Sequence, residues 1–145
     1  MKKLGHVRNV ALGTDGIGSN MFEEAKIAFF KNSDMGGTLT SNDILQFLQN
    51  GNDLLARYFS LKFGEIEKGY VADIVIYDYH APTPMTNNNL AGHFLYGFSS
   101  RDVETVIVNG NVVYEKREFP FDVEGLYEKA QHAAQRLWKK IDSLR

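Results

Sequence analysis

The sequence predicts an α/β chain, and three observations carry that prediction. A short apolar run rich in β-branched residues, 7–12, opens the chain and empties into a glycine-dense loop. Strand-like runs recur at 71–77, 103–108 and 112–115, the last two flanking Asn109-Gly110, a strong two-residue hairpin signal. Helical spacing governs the segment after the opening loop and the C-terminal segment, so strands and helices share one chain.

Taken in order, residues 7–12 suit a buried strand because they are short, apolar and β-branched. Gly13-Thr14-Asp15-Gly16-Ile17-Gly18-Ser19-Asn20 is the loop it enters. A helix is predicted over 21–30, with Ser19 or Asn20 as N-cap and Glu23 and Glu24 complementing its positive end. Met35-Gly36-Gly37 breaks the chain, and Thr40-Ser41-Asn42-Asp43 supplies new capping groups for a helix from about 43 to 47. Asn50-Gly51-Asn52-Asp53 reads as a helix end and a fresh start, which puts a third short helix at 54–58. Glycines bracket a turn at 64–69, and 71–77 is the next strand. Pro82, Pro84 and three consecutive asparagines make 80–89 a long loop. In the last segment Leu126, Ala130, Ala133, Leu137, Ile141 and Leu144 recur at helical spacing beside Trp138, so that helix is expected to lie on something apolar.

Composition narrows the function. Hydrophobic residues form 43% of the chain and charged residues 23%, the balance of a globular protein. A net charge of -2 gives no field that would draw nucleic acid or anionic lipid, so neither is expected as a partner. No apolar run approaches the roughly 20 residues of a membrane helix, and no signal-type segment follows the basic start, so a cytoplasmic location is expected. The absence of cysteine excludes disulfides, thiolate metal sites and cysteine nucleophiles among these residues.

Chemistry points to Asp15. An acid where a buried strand gives way to a loop occupies the position that holds catalytic residues in (β/α)8 barrels. Beside a divalent cation such a carboxylate stays ionised and still accepts a proton, while Gly13 and Gly16 let the backbone turn sharply. The same residue also fits a plain turn or helix cap, and the glycines ahead of a helix fit a phosphate cradle. Against the cradle, the spacing is not the dinucleotide fingerprint and no P-loop lysine follows.

Three segments together resemble one family. Gly13-Thr14-Asp15-Gly16 with Ser19-Asn20 and Met21-Phe22-Glu23-Glu24 is similar to the last barrel strand and helix of the amidohydrolase superfamily. Gly64-x-Ile66-x-x-Gly69-x-x-Ala72-Asp73-Ile74-Val75 resembles that family's return into its small β-sandwich. Val103-x-x-Val106-x-Val108-Asn109-Gly110-x-Val112-Val113 resembles the closing hairpin. The branch is that of chlorohydrolases and cytosine- and guanine-type deaminases. Met21-Phe22-Glu23 with Asn89-Leu90-Ala91-Gly92-His93 is most similar to aminohydrolases associated with selenium or purine metabolism.

The resemblance implies a C-terminal fragment of a metal-dependent (β/α)8 barrel, part of the appended β-sandwich, and a C-terminal helix. The implied divisions are 1–62, 63–119 and 120–145. It implies a divalent metal, zinc or iron, in the complete enzyme, held by a His-x-His pair, further histidines and a final aspartate. Hydroxide on that metal attacks a ring or amidine carbon, and ammonia or halide leaves a small-molecule substrate. Asp15 matches the final aspartate and is the one metal ligand and catalytic residue carried over.

The four histidines include no His-x-His pair, so this chain is expected to bind metal poorly and to be inactive alone. His6 is read as a surface residue, His80 in the proline-bearing loop and His132 on the final helix as structural or solvated residues, and His93 as a packing or loop-bonding residue. Whether the chain is an enzyme by itself stays open. The alternative is a non-catalytic assembly module, for which open sheet edges and a homo-oligomer are expected.

Overall fold

A computed structural model describes residues 9–16 and 18–144. Its elements are helix α1 (Met21–Asp34), helix α2 (Ser41–Phe59), strand β1 (Ile74–Tyr77), a short helix α3 (Leu90–Gly92) continuing into a π-turn (His93–Gly97), strands β2 (Val103–Val108) and β3 (Asn111–Tyr114), and helix α4 (Val123–Asp142). The chain is thus a mixed α/β structure with one antiparallel sheet in the order β1-β2-β3 among the described residues.

Capping sets the helix starts. Asn20 accepts hydrogen bonds from the backbone amides of Phe22 and Glu23, so Asn20, not Ser19, is the N-cap of α1. Thr40 and Asp43 form a reciprocal capping box at α2. Contrary to the expectation of two helices, α2 runs unbroken through Asn50-Gly51. Gly51 costs a helix only about 1 kcal/mol, which the packing of Ile44 and Phe47 in the core outweighs.

The buried core joins Ala25 of α1, Leu39, Ile44 and Phe47 of α2, and Leu95 of the π-turn, with Val10, Leu12, Ala28, Phe29 and Phe94 packed around them. An aromatic group extends it toward the sheet: Phe22 lies 5.3 Å from Phe94 and 5.7 Å from Tyr77, ring centre to ring centre.

The hairpin forms as predicted. Asn109 and Gly110 take φ of 49° and 78°, the left-handed pair of a type I′ turn. Asp73 fastens this turn to the chain before β1 by accepting the Asn109 amide at 2.7 Å.

Two expectations fail. Residues 9–12 form no strand; residues 7 and 8 of the predicted run lie outside the described residues. A strand needs a ladder partner, and among the described residues the sheet's strands pair only with one another. The C-terminal helix forms, but among the described residues its apolar stripe is largely uncovered: Leu126, Leu137 and Trp138 are 56%, 55% and 61% exposed.

Candidate functional site

The segment that leads to Asp15 keeps a strand-like alternation without a strand partner. Val10, Leu12 and Thr14 are half-buried, while Ala11, Gly13 and Asp15 are exposed. Val10 and Leu12 pack on the core, and the Asn50 side chain of α2 donates to the Val10 carbonyl at 2.7 Å.

Asp15 itself stands in the left-handed region, φ 50°, and its Oδ1 accepts the Gly16 amide at 2.7 Å. Aspartate tolerates that backbone because its short polar side chain bonds locally. Gly18 and Ser19 also have positive φ, 73° and 51°, just before the cap Asn20. Asp15 is exposed, so its carboxylate can accept a proton or offer an oxygen to a cation.

The loop's far end is tied to the sheet side of the molecule. Asn20 Nδ2 donates to Ser100 Oγ at 3.3 Å, and Lys26 Nζ donates to the Phe98 carbonyl at 3.0 Å. Between loop, α2 and sheet lies a cleft of about 570 Å³ lined by Gly18, Ser19, Asn20, Phe22, Leu48, Val75, Tyr77, Phe94, Ser100 and Val103, among others. Its walls are mostly apolar, so a planar apolar body fits there better than a charged one. Burial holds the Tyr77 phenol above its ordinary pKa, which keeps this wall neutral.

The described histidines form no metal-holding group with Asp15. His6 lies outside the described residues, His80 is exposed in its loop, and His132 is exposed on α4. His93 is buried, with Nδ1 2.9 Å from Tyr79 Oη and Nε2 3.2 Å from Thr83 Oγ1. Both ring nitrogens are engaged, so His93 bonds the proline-bearing loop to the π-turn, the packing role read from the sequence. Gly97 belongs to the same arrangement, because any Cβ there would strike the Tyr79 ring and hydroxyl.

No group of three or more His, Cys, Asp or Glu side chains that could hold a metal gathers among the described residues. One carboxylate is not a metal centre, so the residues present do not fit a complete divalent site. Sequence reading missed Asn50, Lys26 and Ser100. Asn50-Gly51 carried a turn signal that masked the asparagine's role as a long-range donor, and neither Lys26 nor Ser100 carries a local signal.

A family model described as the amidohydrolase family matches residues 2–113, a span that contains the whole Asp15 loop and all of the sheet but Tyr114. Among curated relatives, a 5-methylthioadenosine/S-adenosylhomocysteine deaminase of Caldanaerobacter subterraneus subsp. tengcongensis is 38% identical over 136 residues, covering 89% of this chain and 31% of that protein. A 5'-deoxyadenosine deaminase of Methanocaldococcus jannaschii is 36% identical over 132 residues, covering 85% of this chain and 30% of its own length. A 5-methylthioadenosine/S-adenosylhomocysteine deaminase of Dictyoglomus thermophilum is 34% identical over 140 residues, covering 90% of this chain and 32% of the relative. The chain therefore spans just under a third of the relatives it matches. With the family match running over most of its length, this chain belongs to the amidohydrolase family.

Proposed function

We propose that the chain is the Asp15-bearing portion of a hydrolytic deaminase that cleaves a C–N bond of a nitrogen-rich ring, with adenosine-derived nucleosides as its substrate class. The observation that carries this reading is the similarity to relatives named as deaminases of adenosine derivatives, 36–38% identical over 85–89% of the chain. In this reading residues 1–62 are the last barrel strand with its following helices, 63–119 a portion of the small β-sandwich, and 120–145 a C-terminal helix. Asp15 is the catalytic carboxylate: it accepts a proton during attack on the ring carbon and is the chain's one ligand for the family's divalent metal. The Gly16 amide, donating to Oδ1, holds that carboxylate at the end of its segment. The apolar cleft that starts at Gly18 supplies a wall for a flat ring. Among the described residues no histidines complete a metal site around Asp15, and turnover by the isolated chain is expected to be absent.

The test is a chimera in which this chain replaces the matching third of the Caldanaerobacter deaminase. The chimera is expected to release ammonia from 5-methylthioadenosine. Asp15→Ala in it is expected to lower kcat by about 10²–10⁴-fold, the range for losing a proton-transfer group, with the circular dichroism spectrum unchanged. A folded Asp15→Ala chimera with full turnover would overturn the assignment.

One observation favours a second reading, in which the chain acts as an assembly module. The apolar stripe of α4 is exposed over Leu126, Leu137 and Trp138, a face suited to a protein surface. A homo-oligomer through α4 is the form this reading takes.

A further inference from the structure

The amide pair Gln46–Asn50 on α2 sits outside the loop that carries Asp15, yet it grips the segment that positions it. Gln46 Nε2 donates to Asn50 Oδ1 at 3.0 Å, and Asn50 Nδ2 donates to the Val10 carbonyl at 2.7 Å. The first bond fixes which end of the Asn50 amide points inward, since its oxygen is already taken and only its nitrogen is left to meet a carbonyl. The second bond is short, half-buried and spans forty residues of sequence. It satisfies a backbone acceptor that no strand partner reaches, because residues 9–12 belong to no ladder.

We infer that Asn50, oriented by Gln46, is a positioning residue that pins the register of residues 10–15 and so sets where the Asp15 carboxylate stands. Its functional meaning rests on the reading of Asp15 given above; the pin itself does not. The reason a pin is needed follows from period two. Val10, Leu12 and Thr14 face inward while Ala11, Gly13 and Asp15 face outward, and a slip by one residue exchanges the two sets. In a sheet the ladder forbids that slip. Here Val10 and Leu12 pack on the core while Ala11 and Gly13 offer little apolar surface, so burial favours the observed phase, and the Asn50 bond adds a second, directional preference for it. A hydrogen bond to one named carbonyl is directional and selects it well. Downstream, Asn20 is fixed by its cap bonds at the head of α1 and by Ser100. Asp15 therefore lies in sequence between an upstream pin on α2 and a downstream anchor at the head of α1.

The chain contains no cysteine, so single introduced thiols report the phase directly. Gly13→Cys adds a side chain into open space, and Leu12→Cys replaces a side chain packed on the core. In the otherwise native 145-residue chain, Gly13→Cys is expected to react with a maleimide much faster than Leu12→Cys. Adding Asn50→Asp, which keeps the shape but turns an oxygen toward the Val10 carbonyl, is expected to shrink the ratio of the two rates by about tenfold, the worth of one hydrogen bond. Gln46→Ala, which frees the Asn50 amide without adding charge, is expected to shrink it less. Phe98→Ala serves as the control: it removes a buried ring that is not part of the core cluster on which Val10 and Leu12 pack, and the ratio is expected to hold. An unchanged ratio in both Asn50→Asp and Gln46→Ala overturns the inference, as does an equal loss in Phe98→Ala. If Asn50→Asp fails to fold, Gln46→Ala alone decides. The experiment measures neither metal nor turnover, so loss of the Asp15 assignment in the chimera would leave its result intact, and the reverse also holds.

Discussion

Asp43 shows how much a single side chain near the start of a helix settles. Its carboxylate accepts from the Thr40 hydroxyl at 2.7 Å and from the Thr40 amide at 2.6 Å. Those bonds favour the charged form and hold its pKa below the ordinary aspartate value, with slight desolvation opposing them. A lowered folded-state pKa means stability that is present above the unfolded value and lost as pH falls through the folded one. The decline therefore belongs to the acid range below pH 4 or so, not to neutral pH. Asp43→Asn keeps an acceptor oxygen but cannot ionise, and the fall of the urea midpoint between neutral and acid pH is expected to flatten. A slope equal to that of the native chain would show that the capping box contributes nothing to acid stability. This box was legible in Thr40-Ser41-Asn42-Asp43, as was the Asn109-Gly110 turn, because both act through neighbours in sequence. The bonds from Asn50 to Val10, Asn20 to Ser100 and Lys26 to Phe98 join residues 40, 80 and 72 apart, and no local pattern announces them. Asp15 was legible as a loop acid after an apolar run. Its isolation from His80, His93 and His132 was legible only in part, from the lack of a His-x-His pair.

At the scale of elements, the sequence period located α1, α2 and α4 and missed α3 with its π-turn, and tertiary context decided lengths and neighbours. Asn50-Gly51 and the break expected there gave way to one continuous α2, since a glycine's helix cost is small beside two buried side chains. The opening run had the composition of a strand and kept the alternation of one, yet formed no ladder, because pairing needs a partner the composition cannot supply. For α4 the stripe was legible and its cover was not. The energetic consequence differs sharply between helices. Ile44 is fully buried, and Ile44→Ala is expected to cost about 2–5 kcal/mol through lost transfer and a residual cavity. Leu137 on α4 is 55% exposed, and Leu137→Ala is expected to move stability by no more than about 0.5 kcal/mol. Urea denaturation of both variants checks the contrast. A large loss in Leu137→Ala would mean that α4 is covered in solution by something the chain itself provides.

For the whole molecule, the pattern of exposure argues that these residues are built to meet more protein. Ile27 and Phe30 of α1, Leu54, Tyr58 and Phe59 of α2, Val112 of β3, and Leu126 and Trp138 of α4 are each more than half exposed. Single exposed apolar residues are ordinary, but runs of them on three helices and an outer strand form surfaces that water covers poorly. Among the described residues, the outer edges of β1 and β3 add unpaired backbone groups, because there β2 alone has a strand on both sides. Both features fit a chain that matches just under a third of its relatives' length. In isolation, surfaces of this kind find one another. The chain is expected to sediment as a dimer or larger at micromolar concentration. Changing Leu126, Leu137 and Ile141 together to lysine is expected to shift it toward monomer, since the charges make burial of that stripe costly. Persistent association of the triple variant would move the contact from α4 to the open sheet edges or to the faces of α1 and α2. A native chain that stays monomeric at every concentration would remove the assembly reading and leave the deaminase portion as the sole account of these surfaces.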